Sequence, residues 1–297
     1  MDNKPGRLLF FDILRIGSVA MIVFAHIATV KNWVLFTALI FNIIYLNVAI
    51  FGVYLLIFVS GAVLEYSHPK LSSLDEVSEF YVKRLFRIYP AFWMSLIIGL
   101  IIVPKLITLP LFNLLLEFIG FTSWAGQWGG QINAVGWFIG LIIVLYFLFP
   151  FLSASIKKYP YRMFFMIAFA EVFLRYFFNV YTFGILTVYT FGILTDRWFP
   201  VCNFLEFGLG IWVVQQNFYP KWTHENRWIS FLTELSFYIF LIHILFLNNA
   251  QSSLMMYLIQ VVLLAWLVML GDRKIQIWLK KVTGLACPDS KILPHAP

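Results

Sequence analysis

Hydrophobic positions in this chain form long unbroken runs, and polar positions are confined to short segments between them. A membrane-spanning helix needs about 20 mostly apolar residues. Eight segments meet that requirement, at 11–30, 42–65, 88–108, 134–155, 161–179, 198–216, 229–249 and 252–271. Two further apolar stretches, 109–121 and 182–195, are short for a full crossing, so tilted or re-entrant conformations are expected for them. The pattern predicts an all-α integral membrane protein, a bundle of 8–10 transmembrane helices with a re-entrant segment near 109–133.

Composition supports this interpretation. The chain has 297 residues, of which 62% are hydrophobic and 12% charged, and its mean hydropathy is +0.87. Such a chain must expose apolar side chains to lipid, which excludes a water-soluble domain. The net charge of +7 comes from short basic clusters between apolar runs, so we expect contact with membrane lipids and no nucleic acid. The two cysteines, Cys202 and Cys287, indicate neither a disulfide framework nor a metal site.

The distribution of Lys and Arg predicts the topology. With eight crossings and both termini cytoplasmic, sixteen of these residues lie inside and three outside; ten crossings would give thirteen and six. The positive-inside rule therefore favours eight crossings of the plasma membrane with both termini in the cytoplasm. Polar stretches are too short for a second folded unit. We expect one transmembrane domain over residues 1–272 and a basic cytoplasmic tail over 273–297.

The first predicted helix carries two ionisable residues that share one face. Arg15 and His26 are eleven positions apart, which brings them within about 20° of one azimuth and about 16 Å apart along the axis. Burying either costs free energy unless it faces protein or a water-filled cavity. The pair suits a long ligand whose anionic end is held near the cytoplasm at Arg15 and whose reactive end lies at His26. The alternative is a snorkelling arginine and a structural histidine. Asp12 is expected to pair with Arg15.

A second basic pair lies at the predicted cytoplasmic boundary. Arg84 and Arg87 are three apart and share a helical face. Two guanidinium forks there can grip phosphate groups bidentately, or they can be positive-inside anchors that touch lipid phosphate. Arg15 is predicted at the same membrane level. The three arginines together therefore make a candidate phosphate site.

Other ionisable or aromatic residues have two interpretations each. Glu171 and Arg175, at i and i+4, are either a structural ion pair or part of a cavity wall that contacts a polar acceptor. Glu206 has the same two interpretations. His243 either lines a cavity or is structural. The loop 121–137, which ends at Trp137, is either an interfacial tryptophan belt or a sugar-stacking surface.

Six motifs occur in a fixed order along nearly the whole chain. They are Arg15-x10-His26, Ser60-Gly61, Arg84-x-x-Arg87 with Tyr89 and Pro90, the helix starting at Trp137, Glu206-Phe207-Gly208, and the segment ending at His243. Together they resemble the motifs of the acyltransferase 3 family of integral-membrane O-acyltransferases. The resemblance implies acyl-CoA as a cytoplasmic donor substrate, His26 as the catalytic residue and the arginines as ligands of the CoA phosphates. No bound cofactor is implied.

The resemblance also implies the reaction. An acetyl or other short acyl group passes to a hydroxyl of a carbohydrate or lipid-linked surface-glycan precursor. A neutral imidazole in a cavity can take the proton of that hydroxyl, and an acyl-histidine intermediate is left open. The residues expected to support the site or line an acceptor cavity are Asp12, Ser60, Tyr89, Trp137, Glu171, Arg175, Glu206 and His243. Alternative functions are a transporter or flippase for a glycan or lipid-linked precursor, and a structural member of an envelope assembly.

Overall fold

The fold consists of helices joined by short connections. The computed structural model describes residues 7–31, 34–71, 73–122, 130–181, 200–223 and 226–284, with the main chain alone at 34–47 and 177–181. The α-helices within these ranges are α1 (Leu9–Val30), α2 (Val34–Ser67), α3 (Leu74–Ile102), α4 (Leu111–Ile119), α5 (Gly136–Lys158), α6 (Pro160–Tyr181), α7 (Phe204–Gln215), α8 (Arg227–Ile242), α9 (Leu247–Ser252) and α10 (Leu254–Thr283). Short 3-10 helices occupy Pro104–Thr108, Pro200–Asn203 and His243–Phe246.

The all-α membrane bundle predicted from the sequence is confirmed. In the part of the chain that the structure describes, six helical segments are long and apolar enough to cross a membrane. They are Leu9–Val30, Val48–Ser67, Leu74–Ile102, Gly136–Lys158, Arg227–Ser252 and Leu254–Thr283. The other two predicted crossings coincide with α6 and α7. Helix α6 contains the charged residues Glu171 and Arg175. Helix α7 has 12 residues and extends only about 18 Å. The stretch 182–195 lies outside the described residues.

Two helices extend further than the apolar pattern indicates. The crossing predicted from residue 88 begins at Leu74, where Ser73 and Glu76 form a capping box. The helix then continues through Pro90 to Ile102. At the other end of the chain, α10 runs past the predicted domain boundary at residue 272 and ends at Thr283.

The short helix α4 matches the short apolar segment near 109–121. Its nine residues extend about 13 Å, less than half of a bilayer core of about 30 Å. It ends at Ile119 and is capped by Gly120, whose φ of 76° is the left-handed conformation that glycine adopts easily. Tyr89 donates a hydrogen bond to the Ile119 carbonyl at 3.0 Å, and Trp93 donates one to the Phe118 carbonyl at 2.8 Å. These bonds fix the end of α4 on α3.

Seven helices form a closed ring. Following the contacts around it, the order is α1, α2, α7, α5, α3, α10 and α8, and α8 returns to α1. Helix α6 packs outside the ring against α7 and α5. Residues of α1, α2, α3, α5 and α8 line the space inside this ring.

The contact between α2 and α7 depends on two glycines. A Cβ atom on Gly61 of α2 would overlap the carbonyl of Phe207, and one on Gly210 of α7 would overlap the carbonyl of Phe58. Small residues let helix backbones approach closely where lipid provides no hydrophobic drive for association. This packing explains why a glycine follows Ser60, whose side chain lies on the inner face of the ring.

Candidate active site

Arginines from two helices meet at one end of the enclosed space. A cavity of about 170 Å³ is lined by Arg15 from α1 and by Arg84 and Arg87 from α3. Ser60 and Ser67 from α2, and Thr233 and Ser236 from α8, share its wall. All three arginines are half-buried. Three arginines that line one partly enclosed cavity suit a polyanion such as a diphosphate. We call this space the arginine cavity.

The expected pairing of Asp12 with Arg15 is wrong. Asp12 accepts two hydrogen bonds from Arg7, one from Nε to Oδ2 and one from Nη2 to Oδ1, each 3.2 Å long. In the described residues no ion pair joins Asp12 and Arg15. The bidentate geometry of the Arg7 fork explains the preference. Arg15 consequently presents its charge to the arginine cavity.

Arg87 is held by a set of residues that sequence reasoning missed. Its Nη1 lies 3.5 Å from Oδ2 of Asp272 and donates to the hydroxyl of Tyr238 at 3.1 Å. Tyr238 in turn donates to Asp272 at 2.7 Å. The guanidinium carbon also lies 5.3 Å from the centre of the Phe237 ring. The one available signal was Asp272 itself, a carboxylate near the end of an apolar segment. Its partner depends on long-range packing.

Arg84 lies beside a histidine that stays neutral. The Arg84 guanidinium lies 5.5 Å from the centre of the Phe80 ring, and the ring of His68 packs edge-on against the same phenylalanine at 5.2 Å. Burial, and then the charge of Arg84, lower the pKa of His68 to about 4. At neutral pH the positive charge beside the cavity therefore comes from the arginines and not from His68.

Two histidines line a second cavity further along the same helices. It has a volume of about 240 Å³. Among the described residues that line it, His26, Tyr54, Trp137 and His243 are polar and the others are apolar. The centres of the two imidazole rings are 5.2 Å apart. The α1 face that carries Arg15 into the arginine cavity thus carries His26 into this one, as the eleven-residue spacing predicts. We call this space the histidine cavity.

The backbone sets the tautomer of His26. Its Nδ1 lies 2.8 Å from the carbonyl oxygen of Ile22, one helical turn earlier. A carbonyl oxygen only accepts hydrogen bonds, so Nδ1 carries a proton, and in the neutral imidazole Nε2 keeps its lone pair. A neutral imidazole with a free lone pair in a largely apolar cavity is suited to take a proton from a hydroxyl group.

Phe240 separates the two cavities. It lines both of them, and its ring packs at 5.0 Å from Phe138 and at 5.9 Å from His243. Helices α1, α2, α5 and α8 each contribute residues to both cavities. The two spaces are therefore consecutive compartments of one interior, with the Phe240 side chain between them.

A comparison with protein families identifies the family of this chain. The family model for the acyltransferase domain of the acyltransferase 3 type matches residues 8–280. The chain belongs to the acyltransferase 3 family. It is a multi-pass membrane acyltransferase, and the match includes every helix that contributes to the two cavities. No curated protein and no solved structure matches the chain significantly.

The remaining predicted ion pair of this acyltransferase lies behind the histidine cavity. Arg175 donates to Glu171 at 3.0 Å and to Glu206 at 3.2 Å. It also donates to the Tyr54 hydroxyl at 2.5 Å, with the Tyr54 ring 4.9 Å from the guanidinium carbon. None of the three charged residues is among those that line the two cavities. Arg175 is linked to the histidine cavity by its hydrogen bond to Tyr54, which lines that cavity. The sequence did not predict this link.

The segment just before α5 forms part of the wall of the histidine cavity. Buried Asn133 donates to Ser95 and to the Leu241 carbonyl, each at 2.9 Å. The carboxylate of Glu117 accepts a hydrogen bond from the Gln131 amide. These bonds hold Ala134 and Val135 against the cavity. Tyr89, which was expected near the site, donates its hydrogen bond to α4. Residues 123–129 of the tryptophan-rich loop lie outside the described residues.

Proposed function

We propose that this acyltransferase moves an acetyl or other short acyl group from cytoplasmic acyl-CoA to a hydroxyl of a carbohydrate or surface-glycan precursor. The observation that carries the proposal is the succession of the two cavities, with three arginines in one and His26 in the next. A polyanionic carrier with a long neutral arm and a reactive far end matches that succession.

The donor end of the proposal rests on charge and length. CoA carries its phosphates at one end and its thioester at the other, joined by the extended pantetheine arm. Arg15, Arg84 and Arg87 supply bidentate donors for the phosphates. Arg15 and His26 are separated by about 16 Å along α1, a distance that an extended arm can bridge. The apolar wall of the histidine cavity then surrounds the acyl group.

The chemical step uses the lone pair of His26. Nε2 takes the proton of the acceptor hydroxyl while the hydroxyl oxygen bonds to the thioester carbon. The carbon–sulfur bond breaks, and the leaving thiolate recovers the proton from the imidazolium. Transfer through an acyl-histidine would use the same nitrogen as nucleophile. The two routes differ in whether acylated His26 accumulates when acyl-CoA is supplied without an acceptor.

We place the enzyme in the plasma membrane with both termini in the cytoplasm. The sixteen-to-three distribution of Lys and Arg supports this orientation. It puts the arginine cavity on the cytoplasmic side, where acyl-CoA is present. The histidine cavity then lies deeper, where a lipid-linked acceptor can reach it from the membrane or from the opposite side.

The test is direct binding of acetyl-CoA to the purified protein, followed by transfer assays. Changing both Arg84 and Arg87 to Ala should weaken binding by about 1.5–3 kcal/mol for each charge-assisted hydrogen bond that the substitutions remove. Arg162→Ala is the matched control, because Arg162 is exposed and lines neither cavity. Equal acetyl-CoA affinity in the wild type, the double variant and the control would overturn the proposed donor site. Transport of a glycan precursor without acyl-CoA would favour the transporter alternative.

A further inference from the structure

Ser60 contributes to the arginine cavity a hydroxyl group that a ligand can reach. The residue is half-buried and lines that cavity. In the described part of the chain its hydroxyl forms no hydrogen bond. Nor is its oxygen one of the buried polar atoms that have no partner, so the oxygen keeps accessible surface. A molecule bound in the arginine cavity can therefore form a hydrogen bond with Ser60.

The two hydroxyl residues that α8 contributes to this cavity differ from Ser60. Thr233 donates to the Ile229 carbonyl and Ser236 donates to the Thr233 carbonyl, each at 2.8 Å. Such bonds to the preceding helical turn are common for serine and threonine inside helices, and they use the hydroxyl proton. Ser60 forms no such bond, so its hydroxyl keeps both its donor and its acceptor capacity for a bound molecule.

The packing of α2 fixes the direction of Ser60. The next residue, Gly61, faces α7, where a Cβ atom would overlap the Phe207 carbonyl. Gly52 faces α1, where a Cβ atom would come within 2.9 Å of the Ser18 carbonyl oxygen. Close backbone contacts of this kind hold α2 from both sides. Because successive residues of a helix differ by about 100° in azimuth, Ser60 is turned away from α7 and stays on the inner face.

Ser60 lies part-way along the inner face of α2. It is between Ser67, which also lines the arginine cavity, and Tyr54, which lines the histidine cavity. The six positions from Tyr54 to Ser60 correspond to a rise of about 9 Å. Apolar Leu56 and Phe240 line the arginine cavity as well. Burying an unpaired charge among apolar side chains is costly, so a neutral polar group suits the Ser60 hydroxyl better than a phosphate does.

We propose that the Ser60 hydroxyl forms a hydrogen bond with an amide group in the pantetheine arm of acyl-CoA. This inference rests on the proposed function and assigns a residue to the neutral part of the donor, between the phosphates and the thioester. A hydroxyl can donate to an amide carbonyl or accept from an amide N–H, so either side of the amide fits. The bond sets how far the arm extends toward His26. Ser60 is thus a donor-binding residue and takes no part in the proton transfer.

The experiment compares CoA with 3′-phospho-ADP, which carries all the phosphates of CoA and lacks the pantetheine arm. Binding of each compound to the purified protein is measured by calorimetry. In Ser60→Ala we expect the affinity for CoA to fall by about 2- to 12-fold, the value of one hydrogen bond, and the affinity for 3′-phospho-ADP to stay unchanged. Ser60→Cys keeps the size of the side chain but has only a weak donor, so it should also lose CoA affinity.

Ser155→Ala is the matched control, because Ser155 is a half-buried serine of α5 that lines neither cavity. Both affinities should stay at their wild-type values in this variant. An equal loss for the two compounds in Ser60→Ala would put the phosphates at Ser60 and overturn the inference. Unchanged CoA affinity in Ser60→Ala, or the same loss of affinity in Ser155→Ala, would also overturn it.

Acetyl transfer from acetyl-CoA by the wild-type protein tests the proposed function separately. A loss of CoA affinity in Ser60→Ala that depends on the arm, with no acyl transfer by the wild type, would refute the proposed function and leave the arm contact intact. Acyl transfer by the wild type with unchanged CoA affinity in Ser60→Ala would refute only the arm contact. A wild-type protein that binds neither compound would refute both.

Discussion

Arg87→Ala should produce two effects that a second substitution separates. The Arg87 guanidinium is the cation beside Asp272, whose carboxylate is fully buried and lies 3.5 Å away. Removing one partner of a buried pair leaves an uncompensated charge, which typically costs about 3–5 kcal/mol of folding stability. Removing a phosphate ligand costs about 1.5–3 kcal/mol of donor binding. We therefore expect Arg87→Ala to be both less stable and weaker in CoA binding.

The double variant Arg87→Ala, Asp272→Asn should recover most of the stability and none of the affinity. Asparagine keeps the size of Asp272 and can still accept the hydrogen bond from Tyr238, which is 2.7 Å long in the wild type. Its side chain carries no charge, so the cost of the stranded carboxylate disappears. The free energy of unfolding is measured in mixed micelles and the CoA affinity by calorimetry. Recovery of CoA affinity in the double variant would refute a direct contact between Arg87 and phosphate. A stable single variant would refute the stranded-charge argument.

Three further substitutions or measurements follow from the packing and the topology. Phe240→Ala should join the two cavities and raise acetyl-CoA hydrolysis in the absence of an acceptor. The control Phe149→Ala, at a buried position that lines neither cavity, should not raise it. Equal hydrolysis in both variants would contradict the role of Phe240 as the side chain that separates the cavities. Gly61→Ala should destabilise the protein by about 1–3 kcal/mol or more through overpacking, while Gly17→Ala, with no atom within 4 Å, should not. A cysteine placed at 157–162 in a cysteine-free background should react with an impermeant reagent only from the cytoplasmic side; labelling from outside would indicate ten crossings.

Local helical geometry accounts for the parts of the site that the sequence predicted. The eleven-residue spacing places Arg15 and His26 on one face of α1 wherever α1 packs, and the three-residue spacing does the same for Arg84 and Arg87. A helix that carries such residues in a membrane must turn that face to the interior. The arginine and histidine cavities lie where that argument places them.

The missed features are contacts between residues far apart in the chain. Asp272 and Tyr238 meet Arg87 because α10 and α8 pack beside α3, and no local spacing encodes that packing. The error at Asp12 has the same origin. The i, i+3 spacing favoured Arg15 as the partner of Asp12. Arg7, just before α1, instead forms two hydrogen bonds with the Asp12 carboxylate.

The proposed acyl transfer depends most on His26 as the proton acceptor. His26→Gln keeps a side chain that can accept a hydrogen bond, but an amide cannot take up the proton of a hydroxyl group. The decisive measurement is acetyl transfer by a folded His26→Gln protein that still binds CoA with wild-type affinity. We expect a loss of at least about 10²- to 10⁴-fold, the usual contribution of a general base. Transfer near the wild-type rate would contradict the proposed mechanism and leave His26 a structural residue.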